Sequence, residues 1–188
     1  LLCDVSRETR RRLDDFAVLY EKWSPRINLT APSTQSDFWS RHVGDSAQLF
    51  DLAPDAKHWV DLGSGGGFPG MVIAILLQDM PGARVELVES NRKKTAFLHH
   101  IVDKLSLESV SIYTGRAEDL AHENDLRDAF DLVVVRALAK LPLLLEFSLP
   151  FCKPGGRLVA LKHGGDWSEQ YSAENALKEL GGHIERVS

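Results

Sequence analysis

A glycine-rich turn between an apolar strand and an apolar helix is the part of the sequence that best predicts chemistry. The expected strand His58–Leu62 runs into the glycines of residues 63–70, and Pro69 opens the helix that follows. Glycines carry no Cβ, so such a turn lets a backbone approach a nucleotide-like ligand closely. The next expected strand ends on Glu89, whose carboxylate can accept hydrogen bonds from both hydroxyls of a ribose. Together the two features indicate a cofactor site.

The spacing of the glycines bears on which cofactor binds. Gly65, Gly67 and Gly70 match the G-x-G-x-x-G pattern of dinucleotide sites. The turn begins earlier, however, in a D-L-G-x-G-x-G frame over residues 61–67 that resembles the first motif of class I S-adenosylmethionine (SAM) methyltransferases. Pro69 also removes an amide donor that a pyrophosphate would use. The sequence therefore favours SAM over NAD, and the structural alternative is a turn that binds no ligand.

Length and composition bound the classes of protein that remain. The chain has 188 residues, of which 44% are hydrophobic and 26% charged, as expected for one globular domain with a full core. No apolar run reaches the roughly 18 residues of a membrane span, and no signal-peptide pattern is present. The two cysteines, Cys3 and Cys152, give neither a disulfide framework nor a metal-ligand spacing, so a reducing cytoplasm is expected.

The net charge of −5 requires any nucleic-acid surface to be local. Basic residues cluster at residues 7–12 and again at 92–94. The alternative for both clusters is an ordinary solvated helix face. An RNA-binding enzyme would need its cations near one rim of the cofactor cleft, and the residues expected there are Arg11, Arg12, Arg41, Arg136 and Lys162.

The predicted strands and helices that position these residues alternate along the chain after residue 57. Two helices, over 6–23 and 38–50, come first and predict a helical N-terminal extension, 1–57, packed on a core of 58–188. Alternating strands and helices in that core predict a mostly parallel, doubly wound α/β sheet, Rossmann-like, with helices on both faces. The expected strands cover 58–62, 84–89, 109–113, 131–135, 157–161 and a sixth from His183, and the helices 69–79, 91–105, a turn near Glu118, 142–149 and 168–180.

Several further motifs occur in a fixed order along the chain. They lie at residues 22–30, 41–46, 61–70, 115–118, 135–137 and 162–164. In this order they resemble the ribosomal RNA small-subunit methyltransferase G family, also called glucose-inhibited division protein B, over nearly the whole chain. The chain departs from the family pattern at Ser24-Pro25 and at His163. The final antiparallel hairpin of the family would come after Ser188.

The resemblance implies a class I SAM methyltransferase that methylates N7 of a guanine in the decoding region of 16S rRNA and releases S-adenosylhomocysteine. The implied partner is 16S rRNA or the small ribosomal subunit, met by a monomer in the bacterial cytoplasm. Cofactor binding is expected at Gly63, Gly65, Phe68, Glu89, Ala117, Glu118 and Arg136, with Arg136 also the catalytic residue. RNA binding is expected at Asn28, Arg41, His42 and Lys162.

The residues present agree with attack by N7. This nitrogen has a lone pair and no proton, so it needs placement and no general base. The end of the fourth strand carries Arg136, which can donate a fork to guanine O6, and lacks the Asn/Asp-Pro-Pro-Tyr/Phe motif of exocyclic-amine methyltransferases. Cytosine C5 methylation needs a cysteine nucleophile, and neither cysteine lies at a strand end facing the cofactor.

Each assignment has a structural alternative. Arg136 could pair with a carboxylate such as Asp45, Phe68 could be ordinary core, and Asn28 and His42 could be buried turn residues. Glu118 could stabilise only the N-terminus of its own helix. Asp61 could accept hydrogen bonds from the amides of the glycine loop and not contact a ligand. Two rival functions also remain: a SAM methyltransferase for a small molecule, and a ribosome-assembly factor that binds SAM or RNA without turnover.

Overall fold

Five parallel strands form the sheet at the centre of the computed structural model, which describes residues 5–30, 38–136, 140–161, 177 and 181–183. The strands lie in the order β3-β2-β1-β4-β5. Leu62, the last residue of β1, pairs with Val88 on one side and Val135 on the other, so the carboxyl ends of the three central strands meet at one edge. In such sheets ligands bind at this edge, where the strand order reverses beside β1. The strands are β1 (His58–Leu62), β2 (Arg84–Glu89), β3 (Val110–Thr114), β4 (Phe130–Arg136) and β5 (Cys152–Leu161).

Helices cover both faces of the sheet, as the alternating sequence predicts. On one face the core includes Trp59 of β1 and helices α1, α3 and α4, and on the other it includes Val60, Leu62 and helices α5 and α6. Alternate residues of β1 therefore serve opposite layers, which is why its four last residues are all buried. The helices are α1 (Arg7–Trp23), α2 (Gly44–Leu52), α3 (Gly70–Leu77), α4 (Arg92–Leu105), α5 (Ala117–Leu120) and α6 (Leu141–Ser148).

Helix α1 packs across α3 and α4. The Ser6 hydroxyl accepts a hydrogen bond from the Thr9 N–H at 3.0 Å and so caps the helix. The buried residues of α1 include Leu13, Phe16 and Tyr20. They belong to the same hydrophobic core as Trp59 and the helices α3 and α4. The boundary after residue 57 stays a prediction. Among the described helices, none is long and apolar enough to cross a membrane.

Most elements match their predicted bounds to within one or two residues at each end, and two differ by more than that. The segment expected as one helix over 38–50 is a π-helix, Phe38–Val43, followed by α2. A Cβ at Gly44 would lie 3.3 Å from the carbonyl oxygen of Trp39, five residues earlier, so the missing side chain accommodates the wide turn. Strand β5 begins at Cys152, because Cys152 pairs with Phe130 before residues 153–156 leave the ladder. The helix expected over 168–180, apart from Leu177, and the strand expected from His183 lie outside the described residues, apart from His183 itself.

Asp131 holds the amino ends of β1 and β4 together. Its carboxylate accepts hydrogen bonds from the N–H of Lys57 at 2.8 Å and of His58 at 2.9 Å, and it pairs with the ammonium of Lys153. Burial would raise the pKa of this carboxyl, but the Lys153 ammonium and the two N–H donors outweigh burial and lower the pKa to about 2. This contact lies at the edge of the sheet opposite the glycine turn.

Candidate cofactor cleft

A cavity of about 210 Å³ opens at the carboxyl ends of β1, β2 and β3. One wall is backbone and carboxylate, and the other is apolar and comes from α6. The residues that line it are Gly63, Val88, Glu89, Ser90, Gly115, Arg116, Ala117, Glu118, Leu143 and Phe147. Four of the seven residues predicted to bind the cofactor are in this set, namely Gly63, Glu89, Ala117 and Glu118.

Glu89 connects the glycine turn to α4. The two oxygens of its carboxylate accept hydrogen bonds from different backbone donors: Oε2 from the Gly65 N–H at 2.9 Å, and Oε1 from the Asn91 N–H at 2.8 Å. Each oxygen keeps a second lone pair, so the carboxylate can still accept hydrogen bonds from a ribose. Glu89 is therefore placed both to shape the turn and to bind a ligand.

The glycines are required by backbone conformation and by packing. Gly65 has φ +55° and Gly67 has φ +90°, conformations that residues with a side chain rarely adopt. A Cβ at Gly67 would lie 2.9 Å from the Cβ of Met71. At Gly65 the nearest atom to a Cβ would be the Leu29 carbonyl oxygen, 3.6 Å away, so this position has more room. The turn is thus built to lie flat against α3 while Gly65 remains near the cleft.

Asp61 supports the turn from within the core. Its Oδ2 accepts a hydrogen bond from the Gly70 N–H at 2.9 Å, while Oδ1 is buried and has no hydrogen-bond partner in the described part of the chain. Burial raises the pKa of this carboxyl to about 7, even though the Gly70 N–H and the charge of Arg136 act in the opposite direction. The geometry agrees with the interpretation in which Asp61 holds an amide of the turn.

Phe68 and His42 lie beneath the turn in an aromatic cluster. Their rings are stacked, with centroids 4.7 Å apart and planes 22° apart. Phe68 also contacts the rings of Phe16, Tyr20 and Phe38. Phe68 is 4% exposed and His42 is 1% exposed, and neither lines the cleft. In this structure the two side chains pack against the underside of the turn and do not reach the surface.

Arg136 ends β4 beside the turn. Strand pairing places Asp61 opposite Leu87 and Val134, so Arg136 and Glu89 follow on the same face of the sheet as Asp61. The Arg136 side chain is half-buried and does not line the cleft. Within the described ranges it forms no ion pair, so the alternative of a salt bridge with Asp45 is not found. Its charge acts on Asp61, as the pKa of that carboxyl indicates.

The remaining expected residues are dispersed. Glu118 is exposed in the first turn of α5, 3.8 Å from the Arg116 guanidinium. Asn28 is exposed, and the backbone beside it at Leu29 packs on the turn: its carbonyl oxygen lies 3.1 Å from where a Cβ of Gly66 would be. Lys162 and the side chain of Arg41 lie outside the described part of the structure.

Arg11 and Arg12 are not at the rim of the cleft. Arg12 lies 4.0 Å from Asp79, beyond the last residue of α3, whereas the glycine turn precedes the first residue of α3. Eight helical residues separate these ends by about 12 Å. Arg11 pairs with Glu8 on its own helix at 2.6 Å. The cationic rim expected from α1 is therefore at the wrong edge of the sheet.

Sequence reasoning missed the apolar wall of the cleft. Leu143 and Phe147 are one helical turn apart on α6, and they line the same cavity as Ala117. The signal was available, because α6 follows β4 and begins near the edge where the cofactor was expected. Ser90 was also missed, although it directly follows the predicted carboxylate.

Comparisons with known proteins identify the family of the chain. The family model for rRNA small subunit methyltransferase G matches residues 9–186. The chain is 45% identical over 161 residues to the ribosomal RNA small subunit methyltransferase G of Rhizobium rhizogenes, covering 86% of this chain and 77% of that protein. The same-named protein of a Chelativorans species is 48% identical over 167 residues, covering 86% and 74%.

Solved structures share the fold at lower identity. A SAM-dependent methyltransferase from Aquifex aeolicus superposes with a TM-score of 0.57 at 16% identity, covering 91% of this chain and 90% of that one. A precorrin-6y C5,15-methyltransferase from Geobacter metallireducens gives 0.54 at 18% identity, covering 72% and 70%. The predicted class I SAM methyltransferase fold is confirmed. The chain belongs to the rRNA small subunit methyltransferase G family.

Proposed function

We propose that this chain transfers a methyl group from SAM to N7 of a guanine in 16S rRNA. The observation that carries the proposal is the family match over residues 9–186, which includes every residue of the cleft. The cleft supports it independently, because it combines a glycine turn with a carboxylate at the end of β2. The expected substrate is the rRNA or the small ribosomal subunit, and the expected setting is the cytoplasm, with the chain acting as a monomer.

The residues of the cleft fit the parts of SAM. Leu143, Phe147 and Val88 offer apolar surface for an adenine ring, and Ala117 lines the same cavity. Glu89 is placed to accept the ribose hydroxyls, and Gly63 and Gly65 leave room for the methionine part. When bound, SAM supplies an electrophilic methyl group on a sulfonium sulfur.

The chain has to orient the guanine and does not have to remove a proton. N7 forms the new N–C bond with its own lone pair as the S–C bond breaks, and the positive charge moves from sulfur to the guanine ring. Arg136 is the proposed catalytic residue, because its planar guanidinium at the end of β4 can donate to guanine O6 and hold N7 in line with the methyl group. Since no protein group gains or loses a proton, positioning has to supply the rate enhancement.

The N-terminal part is proposed to contact RNA through Asn28, which is exposed, and through Arg41, and to support the turn with buried residues. Lys162, which follows β5, is a further proposed RNA contact. The buried pair His42 and Phe68 acts on RNA or cofactor only through the position of the turn. In this proposal residues 1–57 are an extension that completes the cofactor site from below.

The decisive experiment is methyl transfer from tritiated SAM to unmodified 16S rRNA and to small subunits. Borohydride reduction and aniline treatment then cleave the strand at N7-methylguanosine, and primer extension locates the cut. We expect one N7-methylguanosine in the rRNA. Transfer only to a small molecule would support the first rival function. SAM or RNA binding without any transfer to rRNA would support an assembly factor. Loss of transfer in Arg136→Ala, with SAM affinity retained, would place this residue at the target base.

A further inference from the structure

The basic residues at the start of α4 lie beside the cofactor cleft, unlike those of α1. Glu89 and Ser90 line the cleft, and Arg92, Lys93 and Lys94 follow within a few residues. The Nζ of Lys94 would be 4.0 Å from a Cβ at Gly65, which places its ammonium next to the glycine turn. The basic cluster at residues 92–94 is visible in the sequence, but only the structure shows that it borders the cofactor cleft.

The start of α4 is held rigidly relative to the turn. The Asn91 side chain caps the helix by accepting hydrogen bonds from the N–H of Lys93 at 2.9 Å and of Lys94 at 3.4 Å. The Asn91 N–H itself donates to Glu89, whose carboxylate also holds Gly65. A ligand bound to the basic residues would therefore have a fixed position relative to the methyl donor.

The three cations are also available for a ligand. Arg92 and Lys93 are exposed, and in the described ranges no carboxylate lies within ion-pairing distance of Arg92, Lys93 or Lys94. By contrast, Arg10, Arg11 and Arg12 are paired with acidic residues of α1 or with Asp79. In a chain of net charge −5, an unpaired basic cluster is where a polyanion would bind.

We infer that Arg92, Lys93 and Lys94 form a phosphate-binding rim that docks the backbone of the rRNA next to the glycine turn. This inference rests on the proposed function and names the surface that function uses. Phosphate contacts set the register of a nucleic acid without reading its sequence. The rim would thus bring the target guanine to Arg136 while the bases around it stay free.

The test compares two double variants, each of which removes one arginine and one lysine. One pair lies beside the cleft and the other at the opposite end of the same part of the fold. Arg92→Gln with Lys93→Gln removes two cations from the rim. The control, Arg84→Gln with Lys104→Gln, removes one arginine and one lysine, both exposed, from the start of β2 and the end of α4. Lys93 and Lys104 are roughly 16 Å apart along the helix. The probes are unmodified 16S rRNA and S-adenosylhomocysteine.

We expect the rim variant to raise KM for the rRNA about tenfold at 0.1 M salt and to make the plot of log K against log salt shallower by about 1.5, as expected for two lost phosphate contacts. Its kcat and its affinity for S-adenosylhomocysteine should stay at wild-type values. The control variant should match the wild type in all four quantities. Equal KM values in the two variants would overturn the inference, as would a loss of S-adenosylhomocysteine affinity in the rim variant. A wild-type protein that does not methylate rRNA would instead overturn the proposed function.

Discussion

Glu89 has two sets of partners to satisfy, and this makes its replacement more damaging than the loss of a ribose contact alone. Glu89→Ala removes the acceptors of the Gly65 and Asn91 N–H groups as well as the proposed acceptors of the ribose hydroxyls. We expect S-adenosylhomocysteine affinity to fall by at least about 1.5–3 kcal/mol, the range for one hydrogen bond to a charged group. Glu89→Gln should be intermediate, because its amide N–H₂ would face a backbone donor. Calorimetry measures both, with exposed Glu108→Ala as the control, and a loss below about threefold would mean that the ribose is held elsewhere.

Gly65 is the position at which we expect the backbone to approach the cofactor. Gly65→Ala carries the strain of a positive φ and also places a methyl group beside the cleft. Gly82→Ala provides the matched control, because Gly82 has φ +78° with nothing within 4 Å of a Cβ. We expect both variants to lose similar stability, about 1 kcal/mol, and only Gly65→Ala to lose SAM binding. Thermal melting and calorimetry separate the two effects. Equal SAM affinities would show that the ligand passes elsewhere.

We expect the buried carboxyl of Asp61 to make cofactor binding pH-dependent, although Asp61 does not act as a general base. Its pKa of about 7 in the folded chain is above the value of about 3.9 for an unfolded aspartate. The folded state therefore keeps a proton that the unfolded state has lost, and this contribution to stability falls as pH rises from about 4 to 7. The charged groups facing it are Glu89 and Arg136.

The cationic sulfonium of SAM favours ionised Asp61, so SAM affinity should rise up to about tenfold between pH 6 and 8. Asp61→Asn should remove this part of the dependence, and what remains belongs to the ligand's own amine. Single-turnover methylation at saturating SAM and rRNA should stay flat from about pH 6.5 to 9, because N7 has no proton to lose. A rate that rises tenfold per pH unit and then levels would require a general base and would exclude N7 as the target.

At the scale of elements, the contact between β1 and β4 makes a separate prediction. The pKa of Asp131 is about 2 in the folded chain, below its unfolded value, so its contribution to stability is complete above about pH 4 and is lost as pH falls toward 2. Asp131→Ala should lower the free energy of unfolding by about 2–3 kcal/mol at pH 7. Urea titrations at pH 7 and pH 3 should show the difference shrinking in acid. Asp55→Ala, an exposed carboxylate just before β1, serves as control, and an equal loss from it would refute the role of the Asp131 contact.

The strands were predictable because their apolar residues follow simple patterns, and β1 and β2 have the predicted bounds. The start of β5 was not predictable from the sequence. Residues 153–156 form a turn and leave the ladder, so the pairing of Cys152 with Phe130 before this turn could not be recognised. The role of Glu89 in binding the ribose stays a prediction. Its hydrogen bond to Gly65 could not be predicted, because it joins residues 24 positions apart and depends on the packing of two connections. Likewise, the basic clusters at residues 7–12 and 92–94 look alike in the sequence. Only the structure shows that Arg12 lies near Asp79, away from the cleft, whereas Lys94 lies next to Gly65.

At the scale of the whole molecule, α1 is part of the main core and cannot act as a detachable lid. Leu13 and Phe16 are fully buried, and the Phe16 ring lies 3.3 Å from where a Cβ of Gly67 would be, directly under the glycine turn. A core shared between the N-terminal helix and the sheet should unfold as one cooperative unit. The position of the turn, and with it SAM affinity, then depends on the packing of α1.

Leu13→Ala should therefore lower the stability of the entire chain by about 2–5 kcal/mol in one urea transition, the usual cost of truncating a fully buried leucine. Val18→Ala on the same helix is the matched control, because Val18 is 65% exposed and its loss should change stability by less than about 0.5 kcal/mol. Trp59 is buried in β1, and its fluorescence can be read alone when Trp23, Trp39 and Trp167 are replaced by phenylalanine. In that background far-UV circular dichroism and Trp59 fluorescence should report the same midpoint. Two separate transitions in Leu13→Ala, with the Trp59 signal unchanged in midpoint, would show instead that residues 1–57 form a unit that unfolds alone, and the cofactor site would then have to be stable without it.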